Sequence, residues 1–100
     1  MQRLVTIAKI LSDVNRVNII AQLKRDKELC VCEICDTLEL SQPLVSRHLK
    51  QMREAKLVSS SQNGKWKTYT LLPNELLEYL FQSKQIRTDT LPLLIKCSKG

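Results

Sequence analysis

The sequence predicts a mainly α-helical protein with a small β-hairpin, arranged as a winged helix-turn-helix. Apolar residues recur at helical spacing up to Lys56, Ser41 is a good N-cap placed directly after a short helix, and the pattern then changes to two short strands around a turn. We expect one domain over 1–100, with the helix-turn-helix at about 31–56, the wing at about 57–71 and a C-terminal helix at about 74–86.

Size and charge limit the function classes. The 16 Lys and Arg residues outnumber the 10 acidic residues and give a formal charge of +6, which favours a polyanionic partner. A domain this small buries a modest share of its surface, so a second chain can supply further burial. The sequence has no membrane-length apolar run and no secretory signal, so we expect a cytoplasmic protein with no membrane partner.

The helices are predicted from apolar residues three and four positions apart. A first helix is followed by a second that starts at Ser12 or Asp13, and a short third helix precedes Ser41. The positions expected to face inward are Leu4, Ile7, Ala8 and Leu11 in the first helix, Val14, Val17, Ile20 and Ala21 in the second, Val31, Ile34 and Leu38 in the third, and Leu76, Leu77, Leu80 and Phe81 in the last.

The fourth helix and the hairpin predict a DNA-facing surface. Val45, Leu49 and Met52 share one helical face, which leaves a polar face with short side chains in its first turns, as a major-groove helix requires. In the hairpin, expected at 57–60 and 66–71, basic residues flank Trp66, whose indole we expect to anchor the wing to the core. The candidate DNA contacts are Ser41, Gln42, Ser46, Arg47, His48, Lys50, Lys65 and Lys67.

These candidates differ in chemistry. Gln42 can bind adenine through two hydrogen bonds, Ser46 can donate or accept at a base edge, and Arg47 or Lys50 can reach guanine or phosphate. His48 has two interpretations, a phosphate contact or packing against the neighbouring helix.

Three of the four cysteines, Cys30, Cys32 and Cys35, crowd into six residues at the start of the third helix. In a reducing cytosol we expect thiols, thiolates or ligands of soft ions and not structural disulfides. Successive helical residues advance about 100°, so Cys32 and Cys35 lie roughly 60° apart whereas Cys30 and Cys32 point nearly opposite ways. An ion held by all three must therefore unwind the first turn.

The ligand class follows from coordination number. Zinc normally takes four ligands, so three thiolates would need Cys97, His48, a water or a second chain, whereas a pyramidal trivalent metalloid needs only three. Cys32 and Cys35 also form a C-x-x-C pair, but without the expected strand-to-helix context of a thioredoxin-like site. Cys97 is predicted to be a surface thiol, with an extra ligand as the alternative.

Two stretches resemble a known family. Glu28–Cys35, reading ELCVCEIC, resembles the ELCVC-x-x-C arsenic box of the ArsR/SmtB family of metal-responsive repressors, specifically its arsenic-sensing branch. Ser41–Leu49, reading SQPLVSRHL, resembles the recognition helix of the family, and Gly64-Lys65-Trp66 resembles its wing tip. The likeness spans about 7–72.

The resemblance implies a homodimer built from the first and last helices, an inverted-repeat operator in double-stranded DNA, and arsenite or antimonite as inducer with no organic cofactor. It assigns Cys30 and Cys32 as principal ligands and Cys35 as the third. The zinc branch of the family uses His and acidic ligands on the last helix. Here 74–84 contains Glu75 and Glu78 but no His, so we expect that zinc site to be absent.

Two alternatives stay open at this point. One retains DNA binding and makes the cysteines a redox or zinc switch. The other is a small thiol enzyme, which we disfavour because the sequence lacks a phosphate-cradling loop and a base beside a nucleophilic cysteine. We therefore predict a protein with no catalytic activity.

Overall fold

A computed structural model describes residues 2–96, and over this range the chain forms five helices and a three-stranded sheet. The helices are α1 (Gln2–Leu11), α2 (Val14–Asp26), α3 (Val31–Leu38), α4 (Gln42–Glu54) and α5 (Glu75–Gln82). The strands are β1 (Glu28–Cys30), β2 (Val58–Asn63) and β3 (Trp66–Leu71). The mainly α-helical winged helix-turn-helix predicted from the sequence is confirmed.

Side-chain caps set the starts of two helices. The Asp13 carboxylate accepts the Asn15 N–H at 2.8 Å and the Arg16 N–H at 3.3 Å, which starts α2 at the second of the two predicted positions. The Asn74 side chain accepts the Leu77 N–H at 3.0 Å and starts α5. Each cap satisfies backbone donors that the helix itself leaves unpaired.

The core lies between α2, α3, α4 and the sheet. Val45, Leu49 and Met52 are fully buried, which confirms the predicted apolar face of α4. The turn between α3 and α4 depends on Glu39, whose left-handed backbone (φ 56°) ends α3 and lets Leu40 N–H reach the Cys35 carbonyl at 3.0 Å. Other fully buried members of the core are Ile19, Ile20, Leu23, Leu29, Ile34, Leu57 and Val58.

The sheet has one strand more than the predicted hairpin. Its order is β1-β3-β2 with both pairings antiparallel, and β1 adds to the free edge of β3 with Cys30 opposite Thr68. A strand of three residues carries no periodic signal, and β1 is defined by its pairing with β3. Cys30, expected at the start of the third helix, is the last residue of β1 and the N-cap of α3.

Some predicted inward positions face outward. Leu4 is 55% exposed, Val14 is 70% exposed and Ala8 is exposed, while Ile10, which the periodicity did not single out, is buried. Periodicity locates an apolar stripe, but which edge of the stripe is covered depends on the neighbouring elements. Among residues 2–96 no helix is long and apolar enough to cross a membrane.

The chain after α5 turns back over the body of the protein. Ile86 is 6% exposed and packs into the core. The Arg25 guanidinium donates to the carbonyl of Pro92 at 2.7 Å, and Ile95 N–H donates to Thr37 Oγ1 at 2.9 Å. The segment 87–96, called the tail below, therefore crosses α2 and ends against α3.

Candidate nucleic-acid interface and thiol site

Helix α4 presents its polar face to solvent. Because α4 packs through its apolar stripe on α3 and the sheet, the opposite face is exposed in its first turns. The exposed residues on that face include five of the predicted DNA contacts: Ser41, Gln42, Ser46, Arg47 and Lys50. They occupy the N-cap and the first turns, the part of a recognition helix that meets base edges.

His48 belongs to the other face of α4. The residue is 4% exposed, and burial lowers the pKa of its imidazole even though the Asp13 carboxylate acts in the opposite direction. Of the two sequence interpretations, packing against a neighbouring helix fits this position, and the ring is not on the surface formed by Ser46 and Arg47.

Arg16 holds α4 against the N-terminal helices. Its guanidinium donates to the Ile10 carbonyl at 2.9 Å, to the Lys9 carbonyl at 3.0 Å and to Gln51 Oε1 at 2.6 Å. One side chain thus caps the C-terminal end of α1 and binds the outer face of α4. Sequence reasoning missed this residue, because nothing local distinguishes Arg16 from a solvated surface arginine.

The wing is a tight hairpin with an exposed basic tip. Gly64 adopts a left-handed backbone (φ 62°), and its carbonyl accepts a hydrogen bond from Gln62 Nε2 at 2.9 Å. Lys65 is exposed, while the Lys67 ammonium lies 5.7 Å from the centre of the Tyr69 ring. Trp66 is 39% exposed and Tyr69 8%, so the expected anchoring role of Trp66 is corrected in favour of Tyr69.

Cys30 is buried at the junction of the sheet and α3. It is 4% exposed, pairs with Thr68 of β3 and is the N-cap of α3. Its N–H donates to Glu33 Oε1 at 3.0 Å in a capping box, and Thr68 Oγ1 donates to Glu28 Oε2 at 3.0 Å. Withdrawing Cys30 from this position would therefore disturb both the start of α3 and the edge of the wing.

Cys32 and Cys35 lie on α3 itself, one exposed and the other half-buried. Burial, with a further contribution from the Asp36 carboxylate, raises the pKa of the Cys35 thiol. Cys32 is disulfide-bonded in the structure, whereas Cys30 and Cys35 are thiols, which corrects the expectation that none of the cysteines forms a disulfide.

The three predicted ligands are not assembled. Among residues 2–96 no three His, Cys, Asp or Glu side chains converge on a point that would hold a metal ion. That binding by Cys30, Cys32 and Cys35 together requires the first turn of α3 to open stays a prediction. Cys97, the fourth cysteine, lies outside the described residues.

The structure also bears on the thioredoxin-like interpretation of the Cys32 and Cys35 pair. A strand, β1, does precede α3 directly, so the context that the sequence lacked is present.

Comparison with known proteins agrees with this architecture. The model of the family described as bacterial regulatory protein, arsR family, matches residues 13–60, from the cap of α2 into β2. Reduced HlyU from Vibrio cholerae superposes with a TM-score of 0.72 at 32% sequence identity, covering 82% of this chain and 88% of that chain.

Two curated relatives are similar to the chain over longer stretches than the family model. The arsenical resistance operon repressor of Staphylococcus xylosus is 36% identical over 85 residues, covering 85% of this chain and 80% of that protein. The repressor of the same name from Escherichia coli (strain K12) is 46% identical over 66 residues, covering 66% of this chain and 56% of that protein. The chain thus spans about half the length of the E. coli relative.

The family and these relatives are named as regulators and not as enzymes, which confirms the prediction of a non-catalytic protein. The match begins at Asp13 and covers the whole helix-turn-helix, including the cysteine segment. The chain belongs to the arsR family of bacterial regulatory proteins.

Proposed function

We propose that the chain is a cytoplasmic repressor that binds an inverted-repeat operator as a homodimer and leaves it when arsenite or antimonite binds its cysteines. The observation that carries this proposal is the position of the cysteine segment. Cys30 belongs to β1, which pairs with the wing strand β3, and Cys32 and Cys35 belong to α3, which packs on the recognition helix α4. Both DNA-facing elements therefore touch the segment that would bind the inducer.

The chemistry suits a trivalent metalloid. Each thiol that binds arsenous acid displaces one hydroxide as water, so three thiols yield a tris-thiolate with no change in oxidation state. Cys32 and Cys35 are three residues apart on α3 and can act together once Cys32 is reduced. Recruiting Cys30 opens the capping box with Glu33 and separates β1 from β3.

This movement gives a route for release. If ligation favours a conformation in which α3 and the wing no longer fit one DNA groove, metalloid and DNA oppose each other through a coupling of about 1–3 kcal/mol. By linkage, operator DNA weakens metalloid binding by the same factor.

A dimer is supported by apolar residues left exposed on α1 and α5. Leu4 is 55%, Val5 51% and Tyr79 64% exposed. An isologous interface built from these helices would cover them and place two copies of α4 on one side of the dimer for an inverted repeat.

The test is fluorescence anisotropy of the protein on labelled DNA from its own promoter, at a stated salt concentration, with arsenite and zinc added separately. A phosphine reductant is used, because a dithiol would itself bind arsenite. We expect release by arsenite or antimonite and no release by zinc. Specific binding that ignores both metalloids would contradict the inducer, and absence of specific binding would contradict the repressor.

One variant isolates the inducer site. We expect Cys32→Ser to retain operator affinity and to lose release by arsenite, because the side chain is exposed and away from the core. Arg47→Ala is the complementary variant, which should weaken DNA binding while retaining the response. If Cys32→Ser loses operator binding in metal-free buffer, Cys32 is structural and the proposed switch is wrong.

A redox switch is the second candidate, because Cys32 is disulfide-bonded in the structure. It predicts that peroxide releases the reduced protein from DNA and that arsenite does not. The same anisotropy titration distinguishes the two candidates.

A further inference from the structure

A cavity of about 340 Å³, open to solvent, lies between α1 and the recognition helix α4. The two helices do not fill this space with side chains, so other contacts must fix the position of one relative to the other. The cavity is lined by Thr6, Lys9 and Ile10 from α1 and by Gln51, Glu54 and Ala55 from α4.

Arg16 bridges the cavity at the C-terminal end of α1. All three nitrogens of its guanidinium donate: two bind the carbonyls of Lys9 and Ile10, and the third binds Gln51 Oε1 of α4 at 2.6 Å. Carbonyls in the last turn of a helix have no helical partner, and a charged donor forms the stronger kind of hydrogen bond with them. One side chain thus ties the end of α1 to the body of α4.

Arg3 makes a second attachment at the other end of α1. Its guanidinium donates to the Ala55 carbonyl and, at 3.2 Å, to the Lys56 carbonyl, both in the turn that leads from α4 into the wing strand β2. With a rise of about 1.5 Å per residue, Arg3 and the Ile10 carbonyl are about 10 Å apart along α1. A helix held at two separate points cannot pivot about either of them.

The position of α4 on α1 matters for an operator with two half-sites. Helix α1 carries Leu4 and Val5, which are 55% and 51% exposed and which the proposed homodimer covers. In such a dimer the separation of the two copies of α4 must match the separation of the half-sites. Contacts that fix α4 on α1 therefore contribute to that separation.

We propose that Arg3 and Arg16 are positioning residues that fix the recognition helix on α1 and thereby determine which half-site spacing the dimer accepts. The proposal rests on the proposed homodimer and inverted-repeat operator, and it adds the residues that set their geometry. Neither arginine belongs to α4, so both act through the placement of that helix.

The readout is the preference for operator spacing. Inserting one base pair between the half-sites moves one of them by about 3.4 Å and rotates it by about 35°. The unmodified dimer should prefer the native operator by about ten-fold or more, because both copies of α4 can no longer bind at once. Arg16→Met keeps a long apolar side chain but removes the donors, and it should lower this preference by about five-fold or more. Arg3→Met should lower it in the same direction.

Gln51 provides a second test that does not depend on the arginines. It is exposed on α4, so its substitution leaves the core intact. Gln51→Met removes the acceptor and should lower the spacing preference, whereas Gln51→Glu keeps an acceptor for Arg16 and should retain it. Lys9→Met removes a positive charge beside the same cavity without breaking either attachment, and it is the matched control.

The experiment measures anisotropy of the full-length chain on three labelled DNAs from its own promoter, with the half-sites located by footprinting. They are the native operator, the lengthened operator and a single half-site. We expect Arg16→Met and Gln51→Met to lose spacing preference while binding the single half-site as the unmodified chain does. Equal losses on all three DNAs, or an unchanged preference in both variants, would overturn the positioning role.

The unmodified chain distinguishes this proposal from the proposed function. Specific binding to promoter DNA with no preference between the native and lengthened operators would overturn the positioning role and leave the repressor intact. Absence of specific binding to promoter DNA would overturn both.

Discussion

The single histidine shows how one side chain can link stability to pH. Burial lowers the pKa of His48 in the folded protein, so the unfolded chain takes up the proton first as the pH falls through about 6.5. The contribution of His48 to stability is complete above that pH and is lost below it.

We therefore expect the urea concentration at the unfolding midpoint to decrease as the pH is lowered from about 7.5 to about 5.5. His48→Gln removes the only histidine and should flatten this dependence, since most carboxylates titrate at lower pH. If the urea midpoint changes equally with pH in the unmodified protein and in His48→Gln, other groups determine the pH dependence of stability.

Arg47 is the residue for which DNA binding is most directly testable. It is exposed on α4, where a contact to guanine or phosphate is worth about 1–3 kcal/mol, so Arg47→Ala should weaken operator binding about ten-fold or more. Lys96→Ala removes the same charge from the tail and serves as control. Equal losses of operator affinity in anisotropy titrations of Arg47→Ala and Lys96→Ala would indicate that net charge alone determines binding.

At the scale of elements, the capping box of α3 is both a stabilising feature and the predicted barrier to release. Glu33→Ala frees the Cys30 N–H and should cost about 1 kcal/mol in urea unfolding. Because the start of α3 is then easier to open, release from DNA should need less arsenite. Asn74→Ala, which removes the cap of α5 at a similar cost, is the stability-matched control. An equal decrease in the arsenite concentration needed for release in both variants would mean that the effect is general destabilisation.

At the scale of the whole molecule, the exposed apolar residues of α1 and α5 predict the dimer. Leu4→Asp should shift a micromolar dilution series followed by light scattering towards monomer and should reduce operator affinity, because two copies of α4 no longer bind together. Leu93→Asp places the same charge at an exposed leucine of the tail and should leave association unchanged. Dimers of unaltered stability in Leu4→Asp would place the interface elsewhere.

The order of elements and the polar face of α4 could be predicted because they depend on local signals. Apolar spacing at Val45, Leu49 and Met52, a helix start after Ser41 and a glycine at the wing turn are each signalled within a few residues. The outward positions of Leu4 and Val14 could not be predicted, because they depend on which helices pack beside α1 and α2. The exposure of Trp66 likewise depends on the distance of the wing tip from the core.

By itself, the sequence determined the winged helix-turn-helix, the basic residues of α4 and the wing, and the presence of three closely spaced cysteines, since each follows from spacing and residue type. Only the tertiary structure decided how these parts are joined. Pairing of β1 with β3 buried Cys30 and linked it to the wing, and the bond from Ile95 to Thr37 attached the tail to α3. Both are contacts between residues far apart in the chain, which become specific only when the core brings the elements together.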